Sequence, residues 1–146
     1  MWKVLYKAAA LKSNPWVELE NKLLATHSRR ELTLEELYKV CAAVSGEMRL
    51  LFAVGLYCGL WLGDAVLLKW SNIDLKRGLV MIVPQKTARR PNGKVVRIPL
   101  HPTLLAMLTE ARGNGDGDVM PELAELYQRD DTGLVKRIRT VFEGCG

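Results

Sequence analysis

Tyr57-Cys58-Gly59-Leu60-Trp61-Leu62-Gly63-Asp64-Ala65-Val66-Leu67-Leu68-Lys69-Trp70-Ser71-Asn72-Ile73-Asp74 is the stretch on which the fold turns. The residues leading into it, Glu47 to about Cys58, are apolar nearly all round, the pattern of a helix central in a core. Gly59 ends that helix. Within the stretch, a further helix from about Leu62 to Leu68 runs into Trp70 to Asp74, an extended or turn segment, with Gly78 beyond it. The period then changes. Leu79 to Val83 and Val95 to Leu100 are rich in β-branched residues, and between them lie a polar basic run and Pro91-Asn92-Gly93, a strong turn signal. Together they predict a β-hairpin, or a hairpin within a small sheet.

Upstream, Thr33-Leu34-Glu35-Glu36 is a capping box, and Leu32 and Leu37 stand where a hydrophobic staple needs them. The helix that starts there has Leu37, Val40, Cys41 and Val44 as its buried stripe, with Gly46 available to stop it in the left-handed conformation. Earlier still, Met1 to Lys12 reads as a short amphipathic helix or its tail, and Asn14-Pro15 as the start of a helix carrying Trp16, Leu19, Leu23 and Leu24. His27-Ser28-Arg29-Arg30 breaks that pattern as a loop. Downstream, Pro102 to Arg112 returns to helical spacing through Leu104, Leu105 and Leu108, and a loop follows from Gly113 to Gly117. Two helices close the chain, about Pro121 to Gln128 and about Thr132 to Glu143. The second carries Leu134, Ile138 and Phe142 inside and Lys136, Arg137 and Arg139 outside. The fold class expected is mostly α with a small antiparallel β element, an α+β domain.

At 146 residues and 49% hydrophobic content the chain can bury one ordinary core. The net charge of +5 is mild, but its placement is not even. Lys86, Arg89, Arg90, Lys94 and Arg97 fall in one segment without an acid, which leaves 16 basic against 16 acidic residues elsewhere. A local basic patch of this kind fits a nucleic-acid-binding surface and equally a solubilising one. Cys41, Cys58 and Cys145 are odd in number and form no CxxC pair, so neither a disulfide framework nor a zinc site is indicated, and a reducing, cytoplasmic setting fits. No apolar run reaches the length of a membrane span, and Met1 to Lys12 lacks the apolar centre and cleavage site of a signal peptide. Asn114, Asp116, Asp118 and Glu125 imitate the spacing of a calcium loop, but Val119 stands where its turn needs Gly and Pro121 stiffens it, so no metal is expected.

From about Leu32 to Leu100, and more loosely to Gly146, the chain resembles the tyrosine recombinase (phage integrase) family. Leu32 to Leu37 looks like the family's "LT-x-E-E" opening of the catalytic domain, and Tyr57 to Asp74 is similar to its "TGLR-x-x-E-L-L-x-L-x-W-x-D-I-D" box. Pro84-Gln85-Lys86-Thr87 with Arg97-Ile98-Pro99-Leu100 resembles the "KT…R-x-x-P-L" signature. The resemblance implies the N-terminal part of a recombinase catalytic domain over residues 14–146, truncated relative to the family. Residues 1–13 are then the end of a linker or of a preceding core-binding-domain helix.

The family's chemistry, as the resemblance implies it, is attack of a tyrosine hydroxyl on a DNA phosphodiester, giving a phosphotyrosyl link and a free 5′-hydroxyl without metal or cofactor. Guanidinium groups hold the nonbridging oxygens, and a lysine at the hairpin donates a proton to the leaving oxygen. Lys86 stands at that lysine's position, and Asp64 at an acidic position of the box, where a carboxylate orients neighbouring cations or helps open a helix. Two departures follow. Trp61 occupies the place of the first active-site arginine, and an indole offers one neutral donor where a bidentate cation is needed. No H-x-L-R-H box and later tyrosine follow the hairpin, since His27 to Arg30 precedes it and Tyr6, Tyr38, Tyr57 and Tyr127 lie in other contexts, Tyr57 as core or its margin.

The function expected is therefore that of a recombinase or integrase fragment from a phage or mobile element, serving DNA integration and recombination but not itself competent to cleave. The alternatives are a catalytically dead DNA-binding remnant, or a helical protein-interaction module with no DNA role. Expected partners are duplex DNA, through Lys86, Arg89, Arg90, Lys94 and Arg97, and further copies of the chain by self-association, with no membrane and no small-molecule cofactor.

Overall fold

The first helix begins as its capping box requires. Thr33 Oγ1 accepts from the Glu36 amide at 3.2 Å, and a Glu36 carboxylate oxygen accepts from the Thr33 amide at 2.9 Å. The computed structural model describes residues 31–88, 93–113 and 115–145. The chain divides between Glu31 and Leu32, and all the elements below belong to the unit from Leu32 onward. The readings of residues 1–30, of Arg89 and Arg90 and of the Pro91-Asn92 turn lie outside the described residues.

Seven helices and three strands are described: α1 (Leu34–Ala43), α2 (Gly46–Cys58), α3 (Leu62–Val66), β1 (Ile73–Asp74), β2 (Leu79–Ile82), α4 (Gln85–Ala88), β3 (Val96–Pro99), α5 (Pro102–Ala111), α6 (Pro121–Arg129) and α7 (Asp131–Cys145). A 3-10 turn, Trp70–Asn72, precedes β1. The mostly helical fold with a small antiparallel sheet matches the expectation. The hairpin gains a third strand, in the order β1-β2-β3, because Ile73 and Asp74 pair with Val80 and Leu79. On the other side of β2, Val80 pairs with Ile98 and Met81 with Arg97. Val80 and Ile82 point into the core at the two-residue period, while Arg97 stays exposed.

Helix α2 is the centre of the core, as its all-round apolar pattern predicts, with Met48, Leu50, Leu51, Ala53 and Val54 buried. It packs against α3, α5 and α6, while α7 packs on α1 and α6. Phe52 of α2 meets Phe142 of α7 edge to face, with centroids 5.4 Å apart, so α7 is fixed to the same core. Val40 and Val44 are buried as expected of the α1 stripe, with Leu37 and Cys41 half-buried.

Two boundaries differ from the sequence reading. Helix α1 stops at Ala43 on an extended Val44, and Gly46, with φ of 56°, opens α2 instead of closing α1. Helix α3 ends at Val66, and the backbone just beyond it is engaged elsewhere: Leu68 C=O accepts from the Val119 amide at 2.8 Å, and the Trp70 amide donates to Gly117 C=O at 3.0 Å. A segment approaching across the helix end thus takes over the backbone bonds that another helical turn would have used. Trp70 itself is buried, with the Arg112 guanidinium 4.8 Å above its ring.

Helix α6 has an unusual start. Its N-cap, Met120, has no side chain able to accept a hydrogen bond, and the duty falls to Glu47 in the first turn of α2. The Glu47 carboxylate accepts from the Glu122 amide at 3.1 Å and from the Leu123 amide at 2.8 Å, placing negative charge at the positive end of α6. Among the described residues, no helix is long and apolar enough to cross a membrane.

Candidate nucleic-acid interface

Gly59 sets the direction of the chain as it leaves α2. Its φ of 62° is left-handed, and its amide closes the helix on Gly55 C=O at 3.0 Å. The chain then turns outward through Leu60 to an extended Trp61, which serves as N-cap of α3 without a side-chain capping bond. Trp61 is 72% exposed, an unusual situation for an indole. One turn later Asp64 is half-buried, and its Oδ1 accepts from the Gln85 amide at 3.0 Å. That bond spans 21 residues and fastens the start of α4 to α3. The role of Asp64 in the geometry is thus to cap a second short helix, and its partner is a backbone amide.

Lys86 follows directly. It lies on α4, one helical turn set into the connection between β2 and β3, and not on a bare hairpin loop. Pro84 C=O holds that turn by accepting from the Thr87 and Ala88 amides, both at 2.9 Å, and from Thr87 Oγ1 at 3.1 Å. The Lys86 ammonium comes to 5.5 Å from the centroid of the Trp61 ring. This is a cation–π contact, worth about 0.5–1 kcal/mol at an exposed site.

Trp61, Asp64 and Lys86, singled out separately in the sequence, therefore meet around one shallow notch of about 440 Å³, which Leu62, Gly63, Gln85 and Tyr127 complete. Among the described residues, Lys86, Lys94 and Arg97 enter no ion pair. Lys94 and Arg97 are exposed, before and on β3, while Arg89 and Arg90 lie outside the described residues.

Tyr127 is the member of the notch that sequence reading missed. It falls on the half-apolar face of α6 with Leu123 and Ala124, where helical spacing signals partial burial and nothing more. The structure brings its hydroxyl against Gly63, where an added Cβ would stand 2.8 Å from the tyrosyl oxygen. Gly63 is what lets α6 come so near α3. Tyr57 sits at the margin of the core, as expected, half-buried and stacked on His101 with centroids 4.5 Å apart. Tyr38 is exposed on α1 and Tyr6 lies outside the described residues.

Among the described residues, no group of three or more His, Cys, Asp or Glu is placed to hold a metal ion. Asp116, one of the calcium-like positions, pairs with Arg112 at 3.2 Å, and Asn114 lies outside the described residues.

No protein-family model matches the chain, and no curated protein matches it. A solved structure does: the crystal structure of XerA recombinase aligns with 99% of this chain and 51% of its own, with a TM-score of 0.58 and 19% sequence identity. The fold is recombinase-like. The chain spans about half the length of that recombinase. On this recombinase-like fold the notch forms where α3 meets the connection between β2 and β3, with α6 behind it.

Proposed function

We propose that this chain is part of a site-specific tyrosine recombinase or integrase, of the kind carried by phages and mobile elements, and that it grips duplex DNA without cutting it. The observation that carries the reading is the convergence of Trp61, Asp64 and Lys86 at one notch of a recombinase-like fold. In this reading Lys86 is the group that faces a scissile phosphate, and in a complete active protein it donates the proton to the leaving oxygen. Lys86, Arg89, Arg90, Lys94 and Arg97 together neutralise the DNA backbone. Asp64 positions Lys86 by holding the first turn of α4. Trp61 takes the arginine's place but cannot clamp a phosphate, and no tyrosine is placed in an H-x-x-R context after the hairpin within the 146 residues. The protein works in the cytoplasm on chromosomal or element DNA, and self-association with further copies belongs to the same reading.

The test is duplex binding against salt. If about three of the five basic groups engage phosphates, log K falls against log salt with a slope of roughly −0.9 per contact. Substituting Arg89 and Arg90 together by Ala is expected to weaken binding and flatten that slope. Binding indifferent to both salt and these substitutions overturns the reading in favour of a protein-interaction module. A second reading, a DNA-binding remnant that competes with an active integrase, is favoured by Trp61 itself. Reading the gene for a downstream H-x-x-R box and tyrosine separates the two.

A further inference from the structure

We propose that the notch is a seat for an unpaired nucleotide of a DNA strand, with its base stacked on the Trp61 indole and its phosphate held by Lys86. The inference rests on the DNA-binding reading above and adds to it a ligand that duplex contacts alone do not require.

Three observations carry it. Trp61 leaves 72% of its surface in solvent, although indoles are ordinarily sequestered, so most of its aromatic surface is open to a ligand. Lys86 lies over that ring, 5.5 Å from its centroid, and forms no ion pair among the described residues, so one cation and one aromatic surface are held together and a base stacks on the indole surface that the ammonium leaves open. The rim is completed by neutral hydrogen-bonding groups, the Gln85 amide and the Tyr127 hydroxyl, and by Asp64, one of whose oxygens is committed to the Gln85 backbone. The opening, at about 440 Å³, lies in the size range of small-ligand clefts, roughly 300–1,000 Å³.

A stacking surface beside a cation is the arrangement by which proteins hold single-stranded nucleic acid. Every base has a π face, so the aromatic group tolerates any sequence, while the cation follows the backbone. A paired base cannot use the notch, because both its faces are already covered by neighbours in the duplex. The occupant is therefore a nucleotide that is frayed, flipped or at a strand end. The two residues divide the work: Lys86 serves duplex and single strand alike through phosphate, whereas Trp61 contributes only where a base is free.

The experiment compares the intact chain with its Trp61→Ala and Trp61→Phe variants, each verified by circular dichroism. Affinities are measured for a labelled oligothymidylate and for a hairpin duplex of matched length at one low salt concentration. The preference for single strand over duplex is expected to fall about tenfold in Trp61→Ala, the scale of one lost base-stacking contact, and to be largely kept in Trp61→Phe. Quenching of tryptophan fluorescence by the strand is expected to shrink with the same substitution. An unchanged preference in Trp61→Ala, with duplex binding intact and salt-dependent, overturns this inference alone. Loss of all nucleic-acid binding in the intact chain overturns the DNA reading as well. Thymidine monophosphate that binds as tightly as the strand overturns the assignment to a strand and points to a free nucleotide.

Discussion

Within the notch Tyr127 packs against Gly63, and this contact makes a clear demand on residue 63. Gly63→Ala places a methyl group 2.8 Å from the tyrosyl oxygen, so the ring must tilt, and the expected cost is about 1–2 kcal/mol of stability by denaturant unfolding. Tyr127→Phe in the same background removes the offending oxygen and is expected to recover a good part of that loss. Failure of this second change to recover stability would show that the glycine matters for another reason. Cys58 supplies a separate test, because burial pushes its thiol pKa up and keeps it protonated to higher pH than an ordinary cysteine. Alkylation of Cys58 near pH 8 is expected to be slower in the folded protein than in urea, with the gap narrowing in alkali as the thiolate forms. Mass spectrometry after timed quenching reads both rates. At this scale Trp61, Asp64 and Lys86, which the structure brings to one notch, could be singled out in the sequence because each falls at a marked position of a stretch that resembles a recombinase signature. Tyr127 was not, because a helical stripe records that a face is covered and not what covers it.

Elements in this fold are tied by side chains that reach other elements. Asp64 fastens α4 to α3 through the Gln85 amide, and Asp64→Ala is expected to free that turn while Asp64→Asn, which keeps an oxygen acceptor, holds it. Hydrogen exchange at Gln85 to Ala88 measures the difference, with faster exchange in Ala than in Asn. Equal protection in both would mean that Pro84 C=O holds the turn unaided. For α1 the capping box was visible in the letters from Thr33 to Glu36, since the partners lie three residues apart. The start of α6 was not visible beyond Pro121, since its cap, Glu47, comes from 75 residues earlier. Glu47→Ala leaves two amides of α6 without their acceptor and is expected to cost about 1–2 kcal/mol, seen as a lower Tm. The short α4 was hidden for a similar reason: the Lys86 segment reads as a polar turn, and the acceptor that fastens its start, Asp64, comes from 21 residues earlier.

For the whole molecule, the apolar α2, the change of period at the sheet and the order of the elements were all legible, because each is a repeating pattern that a single sequence displays. The third strand was less so, since Ile73-Asp74 is too short to show alternation and exists only by pairing with Val80 and Leu79. On the proposed function, the 146-residue chain is expected to form no covalent adduct with a nicked suicide duplex, and Trp61→Arg alone is not expected to change that. A cation restored at position 61 can return about two to three orders of magnitude in rate, but only where a nucleophile is present to be accelerated. A protein–DNA band surviving a denaturing gel would reassign the nucleophile, and substitution of Tyr6, Tyr38, Tyr57 and Tyr127 by Phe in turn would find it. The long reach of Glu47 has one more consequence, in time instead of in space. An end of α6 that is capped only by a distant helix stays frayed until the core has closed, so its cap belongs to the last events of folding. In stopped-flow measurements Glu47→Ala should therefore hasten unfolding by most of its total effect while leaving the refolding rate nearly unaltered.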